Sequence, residues 1–144
     1  MTRRSTQSGF TLVDMMITIT VMGILAAIVV PKFLTANKET NTAAIKANLR
    51  TIRTQLISYY KDHNTYPTLA DFNDQMTKSS DFVGGTADVG TPGYPYGPYI
   101  VEVPSNPETK TNDVGNGVVG SSAWFYNPLT GEFLANDSIE SRGY

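Results

Sequence analysis

The chain lacks cysteine and has a single histidine among its 144 residues. A disulfide framework, a thiolate metal site and a cysteine nucleophile are therefore excluded. Neither sign of charge dominates, since 11 Lys and Arg stand against 13 Asp and Glu, which gives a formal charge of −2. This balance does not favour nucleic acid as a partner. No Ser/His/Asp set and no phosphate-binding glycine loop is found, so the sequence predicts that the protein is not an enzyme.

A long apolar segment follows nine polar N-terminal residues, two of which are arginines. The 21 residues from Phe10 to Val30 carry one charge, on Asp14. As a helix they would span about 30 Å, which is the thickness of a bilayer core. The preceding arginines favour a cytoplasmic N-terminus, so the rest of the chain would lie across the membrane. A cleaved secretory signal ending near Ala26-Ala27 and a plain single-pass anchor are the alternatives.

Asp14 is the informative residue of this segment. A carboxylate in hydrocarbon costs about 3 kcal/mol and needs a partner, and no Lys or Arg occurs between Phe10 and Pro31. If the chain is cut after Gly9, the new α-amino group of Phe10 becomes a cation one helical turn away. We therefore expect Asp14 to pair with the amino terminus of a neighbouring subunit.

The run Gly9-Phe10-Thr11-Leu12-Val13-Asp14, followed by the apolar segment, resembles the N-terminus of type IV pilins and type II secretion pseudopilins. The resemblance implies that a prepilin peptidase cleaves between Gly9 and Phe10 and methylates the Phe10 amine. It also implies that Gly23 and Pro31 loosen or kink the helix. One departure is Asp14, because the family usually has Glu at this position.

The segment from Thr35 to about Asp62 is polar with one apolar stripe. The stripe recurs every three or four residues, as in an amphipathic helix, and consists of Ile45, Leu49, Ile52, Leu56 and Tyr59 or Tyr60. We predict one helix from Phe10 to about His63, with His63 as a C-terminal cap or surface residue.

The remainder is rich in Gly and Pro and predicts loops and short strands. The candidates are a helical turn over Thr68–Phe72 and strands over Tyr99–Val103, Ser121–Tyr126 and Glu132–Ala135. Residues 127–131, NPLTG, predict a hairpin loop. An antiparallel sheet of three or four strands on the helical stripe would complete an α+β, pilin-like fold.

The resemblance also raises the question of calcium, which major pseudopilins typically bind in a C-terminal loop. Possible oxygen ligands here are Asp113, Asn116, Asp137 and Ser138. The family's loop motif is not in place, and such residues are often turn formers. No other cofactor is predicted.

The predicted organisation is a leader over 1–9, a hydrophobic transmembrane helix over 10–34 and a periplasmic head over 35–144. The segment ANLRTIRTQLISYYKDHNTYPT is similar to the middle of major pseudopilins. The resemblance implies an inner-membrane protein that becomes a homo-oligomeric helical filament and drives protein secretion. Its implied partners are prepilin peptidase, the inner-membrane assembly platform and minor pseudopilins.

Two other functions stay open at this point. One is a type IV pilin, whose extracellular filament would serve adhesion, motility or DNA uptake. The other is a membrane-anchored periplasmic binding domain that uses the tyrosines of the Pro-rich loop, Tyr94, Tyr96 and Tyr99.

Overall fold

The computed structural model describes residues 10–144. The predicted leader, including Gly9, lies outside the described residues. The chain divides into two compact units, one ending at Glu39 and the other covering Thr40–Tyr144. The predicted division into 10–34 and 35–144 stays a prediction.

Helix α1 covers Leu12–His63, 52 residues, which confirms the single long N-terminal helix. It runs through Gly23 and Pro31 without ending, and the Thr35 hydroxyl donates to the Pro31 carbonyl at 3.1 Å. The loosening or kink expected at these two residues stays a prediction. The helix ends where Asn64 adopts a left-handed φ of 57° and donates its N–H to the Tyr60 carbonyl at 2.8 Å. Asn tolerates this conformation better than most residues, so it can terminate the helix.

The apolar stripe on α1 forms one wall of the core of the second unit. Its residues are at most 2% exposed: Ile45, Leu49, Ile52, Leu56 and Tyr59. Against it lie the aromatic side chains of the head, Phe72, Trp124, Tyr126 and Phe133. Each such side chain contributes about 1.5–3 kcal/mol when it is fully buried, so this cluster is the main source of stability of the head.

Two short strands and a short helix follow α1. Helix α2 covers Phe72–Thr77, and strands β1 (Ser79–Ser80) and β2 (Thr86–Ala87) form a two-stranded antiparallel sheet. The helical turn predicted over Thr68–Phe72 therefore lies too early in the chain. The reason is that the Thr68 hydroxyl accepts the Asp71 N–H at 3.1 Å and donates to the Asp71 carboxylate, which makes a turn before the helix starts.

The main sheet has three strands in the order β3-β4-β5: Val114–Gly115, Trp124–Asn127 and Glu132–Ala135. Strands β4 and β5 form the predicted hairpin, with Trp124 opposite Ala135 and Asn127 opposite Glu132. Trp124 and Tyr126 face inward, whereas Phe125 is only partly buried. The α+β, pilin-like class is confirmed.

The sheet corrects the predicted topology in two respects. It is mixed, because β3 pairs with β4 in parallel and only β4 and β5 are antiparallel. Residues Tyr99–Val103 form no strand, since the N–H groups of Tyr99 and Ile100 both donate to the Met76 carbonyl, at 2.9 and 3.0 Å. These N–H groups are therefore not available for a ladder, and Val101 is exposed rather than covered.

Strand β4 also begins later than the predicted Ser121. The Ser121 N–H donates to the Val118 carbonyl at 3.1 Å, and its hydroxyl donates to the same oxygen at 2.7 Å. This turn occupies the residues that the alternation of apolar side chains assigned to the strand.

The hairpin loop depends on Gly131. Its φ is +72°, its N–H donates to the Asn127 carbonyl at 2.9 Å, and an added Cβ would collide with the Tyr66 ring. A left-handed residue other than Gly costs about 1–2 kcal/mol, and overpacking adds about 1–3 kcal/mol.

We expect Gly131→Ala to destabilise the head by about 2–4 kcal/mol, measured by thermal unfolding of the full chain in detergent. Gly90→Ala is the matched control, because Gly90 has a φ of +87° but nothing within 4 Å of an added Cβ. It should show only the backbone part of the loss. Equal losses in the two variants would contradict the predicted clash with Tyr66.

Candidate assembly site

The start of α1 is closed by reciprocal hydrogen bonds between Thr11 and Asp14. The Thr11 N–H and hydroxyl donate to the Asp14 Oδ2 at 3.0 and 2.7 Å. The Asp14 N–H in turn donates to the Thr11 hydroxyl oxygen at 3.2 Å. This is a capping box, with Thr11 as the N-cap and Asp14 as the third helical residue, and the negative charge also suits the positive end of the helix dipole.

This geometry corrects the expectation that Asp14 has no partner in its own chain. Thr11 provides two hydrogen-bond donors, which offset part of the free-energy cost of removing the Asp14 carboxylate from water. They do not neutralise its charge, because the sequence has no Lys or Arg from Phe10 to Pro31. All of these hydrogen bonds go to Oδ2, and within residues 10–144 the structure shows no hydrogen bond to Oδ1. With respect to residues 10–144, this carboxylate oxygen is therefore left for a further partner.

The surface around this carboxylate is apolar. Phe10 is 76% exposed, and the following large apolar residues are exposed as well: Leu12, Val13, Met15, Met16, Ile17, Ile19, Val21, Met22, Ile24, Leu25, Ile28, Val29, Val30, Phe33 and Leu34. Soluble monomers rarely expose contiguous patches of this size. Among the described residues, α1 is the one helix long and apolar enough to cross a membrane, judged by length and composition.

Two threonines in this surface keep their polar groups within the helix. The hydroxyls of Thr18 and Thr20 donate to the carbonyls of Asp14 and Met16, each at 2.7 Å. Because their donors are satisfied, they can face lipid or a neighbouring helix at little cost. In the sequence, Asp14 is the one residue with a charged side chain from Phe10 to Pro31.

The predicted calcium ligands lie in two segments of the head, around β3 and after β5. Asp113 and Asn116 flank the two-residue strand β3 at its opposite ends, and Asp137 lies beyond β5, where its Oδ1 accepts from the Asn106 side chain at 2.8 Å. Ser138 belongs to a turn in which its N–H donates to the Ser141 hydroxyl oxygen. Within residues 10–144 no three His, Cys, Asp or Glu side chains are grouped to hold a metal ion.

The buried polar atoms give the same result. Across residues 10–144, every buried side-chain nitrogen and oxygen has a hydrogen-bond partner. A calcium cage would present carboxylate and carbonyl oxygens that lack donors. Within residues 10–144, no buried side-chain oxygen is therefore left without a donor for a calcium ion to bind.

His63 is buried, at 4% exposure, so its placement on the surface was wrong. Its Nε2 lies 3.0 Å from the Ser80 hydroxyl and 3.1 Å from the Tyr99 hydroxyl, and its Nδ1 lies 3.3 Å from the Phe82 carbonyl. Tyr99 donates to Asp62 at 2.8 Å, and burial is the main cause that raises the pKa of the Tyr99 phenol. No short-range pattern indicates this network, because Ser80, Phe82 and Tyr99 lie 17, 19 and 36 residues from His63 along the chain.

Two tyrosines of the Pro-rich loop, Tyr96 and Tyr99, pack onto the head. The Tyr96 ring lies 5.2 Å from the His63 ring, and the Tyr99 ring lies 5.2 Å from the Tyr59 ring. Two of the three tyrosines considered for a binding platform therefore belong to the packing of the domain, and the binding-domain alternative loses its main support.

Comparison with known proteins decides the family. The prokaryotic N-terminal methylation motif matches residues 4–30, a range that includes Gly9, Phe10 and Asp14. The type II secretion system core protein G of Aeromonas hydrophila is 30% identical over 134 residues, which cover 92% of this chain and 90% of that protein. The chain belongs to the type II secretion system core protein G family. Its members are pseudopilins, and this chain is a pseudopilin structural subunit.

Other relatives match shorter segments. The core protein G of Pseudomonas aeruginosa is 35% identical over 66 residues, and the chain spans about half of that protein, 46%. The type IV major pilin protein PilA of Myxococcus xanthus is 33% identical over 63 residues, or 44% of this chain and 29% of that protein. No solved structure matches the chain.

The capping box can be tested by removing its hydroxyl. Loss of an N-cap costs about 1 kcal/mol, so Thr11→Val should speed hydrogen exchange of the Asp14 amide by about fivefold in detergent. Thr18→Val is the matched control, because the Thr18 hydroxyl bonds within the helix and caps nothing. Equal exchange of the Asp14 amide in both variants would contradict the cap.

Proposed function

We propose that this pseudopilin is cut between Gly9 and Phe10, methylated at Phe10 and assembled with copies of itself into a helical filament that drives protein secretion. The observation that carries the proposal is the N-terminal surface of α1. It combines a continuous exposed apolar run with one carboxylate, of which one oxygen accepts no hydrogen bond from the described residues.

The apolar surface requires a cover at every stage. In the membrane, lipid covers it, and burial of each large side chain is favourable by about 1.5–3 kcal/mol. Leaving the membrane would expose all of these side chains at once. The subunit can therefore leave only if the same surface passes directly onto helices of other subunits. A filament with α1 segments in its core satisfies this condition.

The charge on Asp14 determines which contact forms first. Two opposite unit charges 4 Å apart attract by about 4 kcal/mol at an effective dielectric constant of 20. The α-amino group that cleavage creates on Phe10 of a neighbour is the cation that the chain itself can supply. Because the capping box fixes the Asp14 carboxylate beside the helix terminus, its Oδ1 is held ready for this amine.

The Asp in place of the family's usual Glu is part of the same arrangement. The shorter side chain closes the box with Thr11 and holds its charge nearer to its own helix. The neighbour's amine must then approach more closely than a Glu would require. We propose that this chain forms a tighter subunit contact at this point, with less freedom for the carboxylate.

The proposed location is the inner membrane, with the head in the periplasm. The support is the apolar helix together with the arginines that precede it in the sequence, Arg3 and Arg4. The proposed partners are prepilin peptidase, the inner-membrane assembly platform and minor pseudopilins. The N-terminal methylation motif supports the first of these.

A type IV pilin is the second candidate, favoured by the similarity to PilA. That alignment covers 44% of this chain, whereas the alignment to the Aeromonas core protein G covers 92%. The longer match includes most of the head, and it favours the secretion pseudopilus.

Processing is tested by mass spectrometry of the protein purified from cells that contain a prepilin peptidase. We expect the mass of residues 10–144 plus one methyl group, with the methyl on the Phe10 amine. Protein from cells without the peptidase is the control and should retain Met1 to Gly9. An intact N-terminus in cells that contain the peptidase would contradict the proposal.

The charge of Asp14 is tested by Asp14→Asn. Asn keeps an oxygen that can accept from Thr11, so the cap should persist while the charge is lost. Filaments recovered by shearing should fall more than about tenfold, because the ion pair is worth several times 1.4 kcal/mol. Asp14→Glu should restore them, and membrane insertion should be the same in all three proteins. Normal filament yield from Asp14→Asn would overturn the pairing.

A further inference from the structure

The loop between β3 and β4, residues 116–123, lies against the end of the main sheet. Calcium is expected in the C-terminal loop of a major pseudopilin, yet oxygens at this loop already accept hydrogen bonds from a cation of the chain itself. We infer that the guanidinium of Arg142 takes the place of the ion and holds this loop, so that the fold of the head is independent of calcium.

Arg142 belongs to the 3₁₀-helix Ser141–Gly143, which follows β5. Its Nε donates to the Asn136 Oδ1 at 3.1 Å, and its Nη2 donates both to the same oxygen and to the Gly117 carbonyl, the latter at 3.1 Å. The guanidinium lies over the Phe125 ring, 4.8 Å from the centroid. A flat ring on one side and two oxygens at the edge fix the orientation of the cation.

Asn136 connects this cation to the loop, and it is fully buried. Its side-chain Nδ2 donates to the Val118 carbonyl at 3.1 Å and to the Ser122 hydroxyl at 2.9 Å. Its backbone carbonyl accepts the Gly120 N–H, and its N–H donates to the Ala123 carbonyl. One buried amide therefore ties the loop to the sheet, and its Oδ1 is the atom that Arg142 satisfies.

The oxygens involved are of the kind that calcium uses. Carbonyl and amide oxygens are calcium ligands, and here those of Gly117 and Asn136 already accept from a cation that is covalently part of the chain. A divalent ion at the same oxygens would have to displace the guanidinium. The Oδ1 of Asp137 accepts from the Asn106 side chain, which also donates to the Ala123 carbonyl of the loop.

The first test uses the unmodified full chain in detergent, so it does not depend on filament assembly. Thermal unfolding is recorded in millimolar calcium chloride and in millimolar EGTA. We expect the two midpoints to agree. A midpoint several degrees higher in calcium would overturn the inference, because a ligand that binds only the folded state raises the midpoint.

The second test removes the cation. Arg142→Met keeps an apolar stem over Phe125 but has no donors, and it should lower the midpoint by about 4 °C or more in both solutions. The Gly120 amide should exchange faster by about tenfold or more, since its acceptor is on Asn136. Arg142→Lys should recover part of both effects, because it restores a donor without the planar fork.

Arg50→Met is the matched control, because Arg50 is exposed on α1 and distant in sequence from the loop. It should leave the midpoint and the exchange of the Gly120 amide unchanged. If Arg142→Met behaves as Arg50→Met does, the loop is not held by Arg142 and the inference fails. Both tests can be interpreted even if the proposed filament assembly fails, because they measure unfolding and amide exchange and not assembly.

Discussion

A single charge on an apolar helix limits what this chain can do. Asp14 is the one charge in the apolar run from Phe10 to Val30, and its hydrogen bonds to Thr11 satisfy one oxygen without neutralising the carboxylate. An unneutralised carboxylate is tolerable near the membrane surface and costly inside a packed assembly. The proposed assembly contact must therefore bring a cation, and the proposed cleavage before Phe10 would supply one as the new amine of a neighbouring subunit.

The head is stabilised by other interactions than the charge on Asp14. Its stability rests on apolar packing of the α1 stripe against aromatic residues of the hairpin and α2, together with polar side chains that close the loops. Asn136 and Arg142 illustrate the second part, since they satisfy one another and the backbone of a loop without regular structure. Under the inference drawn from Arg142, a head built in this way needs no metal ion to hold its loop.

The sequence predicted the elements that follow from short-range pattern. The α1 stripe and the hairpin with Gly131 could be identified because periodicity and turn chemistry act over a few residues. The absence of a strand over Tyr99–Val103 could not be predicted, because the N–H groups of Tyr99 and Ile100 bond to the Met76 carbonyl, near the end of α2. The parallel pairing of β3 could not be predicted either, because a two-residue strand is too short to show an alternation of apolar and polar residues.

At the candidate site, too, some residues have a short-range signal in the sequence and others depend on contacts formed only in the folded chain. Asp14 could be singled out because a charge inside an apolar run is visible in the sequence, and Gly9 and Phe10 because of the family resemblance; the roles of all three stay predictions. The cap between Thr11 and Asp14 was visible as a spacing of three residues, although its meaning depends on where the helix begins. Arg142 was not found, since its partners Gly117 and Asn136 are defined only by the folded loop.

The central claim is that Asp14 of one subunit contacts the Phe10 amine of another. Filaments grown from a mixture of subunits, half with ¹⁵N-Phe and half with ¹³C-Asp, would show only contacts between subunits in solid-state NMR dipolar recoupling. The account predicts a charge-assisted hydrogen bond with the nitrogen about 2.7–2.9 Å from the carboxylate oxygen. A separation beyond about 6 Å, outside the range in which opposite charges favour each other strongly, would contradict it.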